Sequence, residues 1–305
     1  MNVPEIPGFK AVYVALVGRP NVGKSTLMNT LLGQKVAAVS PRPQTTRLRQ
    51  LGILTLEHAQ VVFIDTPGIH LPVHKLGEYM NRVAEDSLSD TDVILWLVDG
   101  SVTPTEEDRR IAARLLELKH RPPVLLVLNK IDLVKPELLE ERKAVYQEML
   151  PQVALFTISA TAGINCNGLL DRVINLLPEG SPFFDEDQIT DFYERDIAAE
   201  LIREAALHHL RDEIPHGIAV RIDEFTERSD GSAYIHATLL VEKESHKGIV
   251  IGKGGEMLKR IGSSARFEIE RMSGRKIFLA LRVKVSENWR NRPDALRWLG
   301  YTRER

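Results

Sequence analysis

Gly18-Arg-Pro-Asn-Val-Gly23-Lys24-Ser25 is the stretch on which the reading of this 305-residue chain turns. It fits the pattern G-x-x-x-x-G-K-[ST] and stands between an apolar run, AVYVALVG (11–18), and an amphipathic run that starts at Lys24. A glycine-containing turn from strand to helix lets backbone N–H groups face a phosphate, and the helix start adds partial positive charge. Gly18, Arg19, Pro20, Asn21, Val22, Gly23, Lys24, Ser25 and Thr26 are therefore expected to line a nucleotide site. Lys24 is placed to reach the β- and γ-phosphates, and the Ser25 hydroxyl to bind Mg²⁺.

Outward from this loop, apolar runs alternate with amphipathic ones. VVFID (61–65), DVILWLVD (92–99), VLLVLNK (124–130) and ALFTISA (154–160) read as buried parallel strands. KSTLMNTLLG, EEDRRIAARLLELKH and PELLEERKAVYQEML read as helices, with Pro136 in the first turn of the last. The alternation predicts a three-layer α/β domain with a mostly parallel sheet over residues 8–178. LGILTLEHA (51–59) ahead of VVFID predicts a hairpin and one antiparallel strand.

Three further motifs end these strands. Asn129-Lys130-Ile131-Asp132 selects the base: the Asp132 carboxylate suits the paired N1–H and amino donors of guanine, which adenine lacks. Asn129 is expected to bond the N7 edge, and the Lys130 stem to lie over the ring. Asp65-Thr66-Pro67-Gly68 offers Asp65 to Mg²⁺ and the Gly68 N–H to the γ-phosphate. Ser159-Ala160 offers the Ala160 N–H to guanine O6. In SPRPQTTRLR (40–49), Thr46, or with less support Thr45, is placed to add a hydroxyl to Mg²⁺.

GRPNVGKS, TT, DTPG, NKID and SA stand in the order of translation-factor-class P-loop GTPases, which the first part of the chain resembles. That resemblance implies GTP and GDP as ligands and Lys24, Thr46, Gly68 and Asn21 as the catalytic set. One position departs from it. Many such GTPases carry glutamine directly after DxxG to orient the attacking water, whereas here Ile69 stands there, followed by His70. In related GTPases an asparagine at the position of Asn21 ligates K⁺ beside the phosphates, and the same is expected here.

The alternation stops at LLPEGSPFFDEDQITDF (176–192), rich in proline, glycine and acids, and residues 179–195 read as a linker. Residues 196–305 follow a different order. A helix, ERDIAAELIREAALHHLRDEI, precedes two strands, IAVRIDEFTE and SAYIHATLLVE, joined at Ser229-Asp230-Gly231. A short helix at KGIVI, the loop GKGG (252–255), a longer helix, EMLKRIGSSARFEIERM, and a strand, KIFLALRVKVS, complete an α-β-β-α-α-β unit before a last helix around ALRWLG. A G-x-x-G loop between two helices in that order matches the α+β type II KH fold, whose loop clamps a nucleic-acid backbone. Gly252, Lys253, Gly254 and Gly255 would hold a phosphate, with Ile249, Val250 and Ile251 lining a base groove. Lys247, Lys259, Arg260, Lys276 and Arg282 are further surface candidates.

Charge agrees with that division. Residues 246–305 carry 15 Lys and Arg against 6 Asp and Glu, a balance of +9, so the remainder of this −2 chain is −11. A basic end on an acidic protein suits a polyanionic partner. The single cysteine, Cys166, excludes an intramolecular disulfide and a cysteine-rich zinc site. MNVPEIPGFK lacks a signal-peptide pattern, and no apolar run reaches the ~20 residues of a membrane span, so a cytoplasmic protein is expected.

A P-loop GTPase with a short linker and a C-terminal type II KH domain resembles the Era family, through GRPNVGKSTLMN, QTTR, DTPGIH, NKID and GKGG. The resemblance implies binding to the 3′ end of 16S rRNA in the small ribosomal subunit and a role in its assembly. It also implies a place in the cytoplasm and peripherally on the inner membrane face, and a monomer is expected. The alternative from the residues alone is a GTPase whose second domain binds protein.

Overall fold

The computed structural model describes residues 8–301, apart from Asp90, residues 119–121 and Leu177. Lys119 and His120, expected to close a helix, and Leu177, in the expected linker stretch, lie outside the described residues. The chain divides into two compact units. One comprises Met1–Lys35, Thr46–Leu71 and Met80–Asp191, the other Val36–Thr45, Pro72–Tyr79 and Phe192–Arg305.

The first unit is built on β1 (Lys10–Val17), β2 (Gln50–Leu56), β3 (Ala59–Asp65), β4 (Val93–Asp99), β5 (Val124–Asn129) and β6 (Ala154–Thr157). Its helices are α1 (Lys24–Leu32), α3 (Glu106–Leu116), α4 (Pro136–Met149) and α5 (Cys166–Asn175), with most of α2 (Lys75–Ser89). The sheet order is β2-β3-β1-β4-β5-β6, and all pairings are parallel except β2 with β3. The expected hairpin and parallel sheet are therefore present. Strands β3, β4 and β5 are buried along their whole length, which explains their unbroken apolar runs. Trp96, Leu126, Ile111, Leu115 and Tyr146 join in one core layer, and Leu51, Ile53, Val62 and Ile64 form another. Helix α3 starts at a capping box between Thr105 and Asp108. The carboxyl ends of β1, β3, β4 and β5 carry the nucleotide motifs, as a sheet whose order reverses beside β1 requires.

The acidic, proline-containing segment after α5 is not a free tether. Buried Gln60 accepts from the N–H groups of Phe183 at 2.7 Å and Phe184 at 3.0 Å and donates to the Phe184 carbonyl at 2.9 Å. The Phe183 ring lies 4.7 Å from that of Tyr13. Ile53 N–H donates to the Ile189 carbonyl and Leu51 N–H to Asp191 Oδ1. β2 is an edge strand, and the segment covers its otherwise unpaired N–H groups.

The second unit holds α6 (Glu194–His209), β7 (Ala219–Glu227), β8 (Ala233–Val241), α7 (Glu244–Ile251), α8 (Glu256–Ser273), β9 (Ile277–Val285) and α9 (Pro293–Trp298). β8 pairs antiparallel with β7 and parallel with β9. Ile197, Ala198 and Leu201 of α6, Ile261, Ala265 and Ile269 of α8, and Ile235, Ala237 and Leu239 of β8 are buried. The i, i+4 spacing along α8 gives it one apolar face and leaves the other to water. Within the same unit, the buried Arg203 guanidinium pairs with Glu200 and donates to the Gln44 and Thr45 carbonyls. No described helix is long and apolar enough to cross a membrane.

Candidate functional site

The loop after β1 carries a cluster of polar groups. Asn21 and Gly23 take positive φ, 64° and 100°, which turns the chain tightly into α1. A β-carbon on Gly23 would stand 2.3 Å from Asn129 Nδ2, so the loop closes against the base motif only because that residue is glycine. Lys24 is buried, and its ammonium donates to the Gly18 and Arg19 carbonyls, both at 3.2 Å. Burial lowers its pKa to about 8, against the upward pull of Asp65.

Ser25, Thr46 and Asp65 meet, as the sequence predicts. Asp65 Oδ2 accepts from Ser25 Oγ at 2.6 Å and Thr46 Oγ1 at 3.2 Å, and the two hydroxyls are 2.9 Å apart. Asp65 Oδ1 is buried and has no hydrogen-bond partner among the described residues. Burial raises the Asp65 carboxyl, while Lys24 and the two hydroxyls lower it. Two hydroxyls and one carboxylate whose second oxygen is buried and unsatisfied form a hard-oxygen donor set that fits Mg²⁺. Thr45 does not join them: its hydroxyl donates to the Arg42 carbonyl at 2.7 Å and meets Ser40 Oγ.

The segment after β3 rests on the phosphate loop. Ile69 N–H donates to the Gly18 carbonyl at 3.3 Å, and the Thr66 hydroxyl donates to Leu16 O, so Thr66 contributes backbone rather than side chain. The Ile69 side chain packs against the core layer around Trp96. It is apolar and turned inward, so it cannot orient water. His70 Nδ1 lies 2.9 Å from the Gly68 carbonyl.

The base motif is tied to its neighbours by its own hydrogen bonds. Asn129, expected at the N7 edge, donates to the Val22 carbonyl at 2.8 Å and accepts from the Ala160 N–H at 2.9 Å. It staples three loops together and fixes the backbone at Ala160, whose N–H is the group expected to face guanine O6. Thr30 fixes the same loop through the Ala160 carbonyl, and Ser159 Oγ accepts from the Ala162 N–H. Asp132 stands exposed on a 3-10 turn, Ile131–Leu133, behind Lys130 at φ 63°.

Sequence reading missed Asp99. Its Oδ2 accepts from Lys130 Nζ at 2.6 Å and lies 3.7 Å from the Arg19 guanidinium, which also bonds Asp108 at 3.3 Å. Burial opposes ionisation of Asp99, but hydrogen bonds from Lys130 and Ser101 outweigh it and lower the pKa. An acid closing the apolar run VILWLVD at the ligand-facing end of the sheet was the available signal.

In the second unit, Gly252, Gly254 and Gly255 all have positive φ in the turn from α7 to α8. A β-carbon on Gly252 would stand 2.9 Å from the Met257 nitrogen, whereas Gly254 faces open space. Ile249 is 52% exposed and Ile251 half-buried, but Val250 is fully buried and faces the core, so it cannot line a groove. The helical repeat puts adjacent residues on different sides. A groove of about 410 Å³ runs instead between α8 and β9, with Gly255, Leu258 and Gly262 facing Leu279 and Leu281. Lys259 and Arg266 also line it. Lys253 is exposed on the loop. Lys247 pairs with Glu244 and Arg260 with Glu256 on their own helices, weak surface pairs that leave both charges reachable. Arg282 is bound to Asp223 and Thr238 and Lys276 lies over Phe278, so both face local partners.

Known proteins carry the same two parts. The family described as "50S ribosome-binding GTPase" matches residues 13–130, and the KH domain family matches residues 213–290. The chain is 47% identical to GTPase Era of Ruminiclostridium cellulolyticum over 293 residues, covering 96% of this chain and 98% of that protein. It is 48% identical to GTPase Era of Caldicellulosiruptor saccharolyticus over 297 residues, covering 96% and 98%. A crystal structure of Era with MgGDPNP and nucleotides 1506–1542 of 16S ribosomal RNA superposes with a TM-score of 0.91 at 40% identity, covering 96% of this chain and 99% of that one. An Aquifex aeolicus Era variant bound to GDP and aluminium fluoride gives 0.91 and 40% as well, covering 96% and 100%. With the phosphate loop, the NKID motif and the G-x-x-G turn all in place, this chain is a GTPase and belongs to the Era family.

Proposed function

We propose that this GTPase binds the 3′-terminal region of 16S rRNA through its KH domain and acts in small-subunit assembly. The observation that carries the reading is the full-length likeness to Era solved with a GTP analogue and 16S nucleotides 1506–1542, in a chain that keeps the G-x-x-G loop beside an open groove. Residues 8–178 serve as the GTPase domain, 179–195 as the connection and 196–305 as the RNA-binding domain. The protein works as a monomer in the cytoplasm, and peripheral membrane contact is a further trait of the family it resembles.

In the first domain, Gly18–Thr26 cradle the phosphates, Lys24 meets the β- and γ-phosphates, and Asp132 reads guanine. Ser25, Thr46 and Asp65 would hold Mg²⁺, which when bound neutralises phosphate charge. Backbone groups of Gly68 and its neighbours orient water, since Ile69 cannot. Asn21 would hold K⁺. In the second domain, Gly252–Gly255 hold the RNA backbone, and Leu258, Leu279 and Leu281 receive bases.

Filter binding of an RNA spanning 1506–1542, with and without a non-hydrolysable GTP analogue, tests the reading. Tight, analogue-dependent retention is expected. Retention no better than that of an unrelated RNA would overturn it and favour a protein partner for the KH domain.

A further inference from the structure

Helix α8 has more than the groove on its wet side. After Glu256 at its start, its exposed residues are Lys259, Arg260, Ser263, Arg266, Phe267 and Arg271, a stripe at i, i+3 and i+4 spacing opposite buried Ile261, Ala265 and Ile269. At 1.5 Å per residue the stripe runs about 18 Å from Lys259 to Arg271, starting beside the G-x-x-G turn. From Lys259 onward its fully exposed charges have one sign, with Glu268 and Glu270 half-buried on its flanks. Arg260 pairs with Glu256, but among the described residues Lys259, Arg266 and Arg271 form no ion pair.

In the middle stands Phe267, 63% exposed. Its exposed neighbours on the helix are Ser263, Arg266 and Arg271, so it is a lone ring among cations and not part of an apolar patch. On one side of it, Arg266 lines the α8–β9 groove. On the other, Phe267 borders a hollow of about 500 Å³ between α6 and α8, where His209 Nε2 meets Ser264 Oγ at 2.7 Å. Glu204 and Glu268 make the wall of this hollow unsuited to phosphate, so an RNA strand would keep to the crest. Ser263 lines both cavities, so the groove and the hollow flank the same crest of the helix.

A helical or apolar protein partner would need exposed apolar company around the ring, whereas Leu201 and Ala205 of the adjoining hollow are buried. Single-stranded nucleic acid needs what is present: cations spaced along a path for phosphates, and a flat exposed ring for a base. We propose that this crest of α8 is a second RNA contact, which carries the strand out of the groove and stacks one base on Phe267. The proposal rests on the RNA reading above and extends it from the four nucleotides that a G-x-x-G loop clamps to a longer footprint.

The test uses the full chain and single-stranded RNAs tiled across 1506–1542. The tightest four-nucleotide binder is then extended by six nucleotides at either end, and affinities are read by fluorescence anisotropy. The unaltered chain should prefer one extended RNA. Phe267→Ala should lower affinity for that RNA about tenfold and leave the four-nucleotide RNA within about twofold, the scale of one lost base–aromatic stack. Phe267→Tyr should restore it, and Arg271→Gln should reduce the salt dependence of the extended RNA alone. Equal affinity of the unaltered chain for short and extended RNAs, or equal loss of both in Phe267→Ala, would overturn the second contact while leaving the groove. No binding of any of the RNAs would overturn the RNA reading itself.

Discussion

Lys130 Nζ donates to Asp99 Oδ2 at 2.6 Å, and the same carboxylate lies 3.7 Å from the guanidinium of Arg19. One side chain at the end of β4 thus braces the base motif and stands beside the phosphate loop. Asp99 is largely buried, so its bond to Lys130 is shielded from salt more than a surface pair.

Asp99→Asn keeps the shape but removes the charge that holds Lys130. A charge-assisted hydrogen bond contributes about 1.5–3 kcal/mol, so GDP affinity should fall about 10- to 100-fold in a fluorescent-nucleotide titration. Unchanged affinity would show that Lys130 keeps its place without Asp99.

Base selection is expected to reside in Asp132. Asp132→Asn replaces a pure acceptor with an amide facing the donors of guanine, so the ratio of GTP to XTP affinity should fall by about 100-fold or more. Competition between the two nucleotides measures it. An unaltered ratio would move base recognition elsewhere in the NKID loop.

Ile69 packs against the core layer, which leaves no polar side chain at the position directly after DTPG. A cation held by Asn21 would stabilise charge that grows between the β- and γ-phosphates as their bond breaks. GTP turnover should be faster in KCl than in NaCl at equal ionic strength, by less than the roughly 10³–10⁵ of an arginine finger. Asn21→Ala should abolish the difference with little change in GTP affinity. Equal rates in both salts, with and without RNA, would leave the water to backbone groups or to a partner.

Gly254 faces open space at φ 60°, whereas Gly252 abuts Met257. Gly254→Asp therefore adds a negative charge to the loop with only local backbone strain, while any side chain at Gly252 would push the start of α8. RNA retention should collapse in Gly254→Asp with GTP binding and the thermal transition nearly unchanged. Full retention would place the RNA away from the G-x-x-G turn.

Much of this protein is written in local patterns. The phosphate loop, the NKID and DTPG motifs and the G-x-x-G turn are contiguous segments whose spacing carries their chemistry, and the buried strands announce themselves as apolar runs because helices cover both faces of the sheet. The order α-β-β-α-α-β was likewise readable from periodicity. What only the tertiary structure decided involves residues distant in the chain. Asp99 meets Lys130 and Arg19, Asn129 meets Val22 and Ala160, and Gln60 binds the segment that composition marks as a linker. The choice of Thr46 over Thr45 depends on which hydroxyl turns toward Asp65. The burial of Val250 depends on the phase of α7, and the groove beside the G-x-x-G turn on Leu279 and Leu281 lying across from α8. A motif states what a segment offers, but the direction of each side chain is set by packing between segments, which local sequence does not encode.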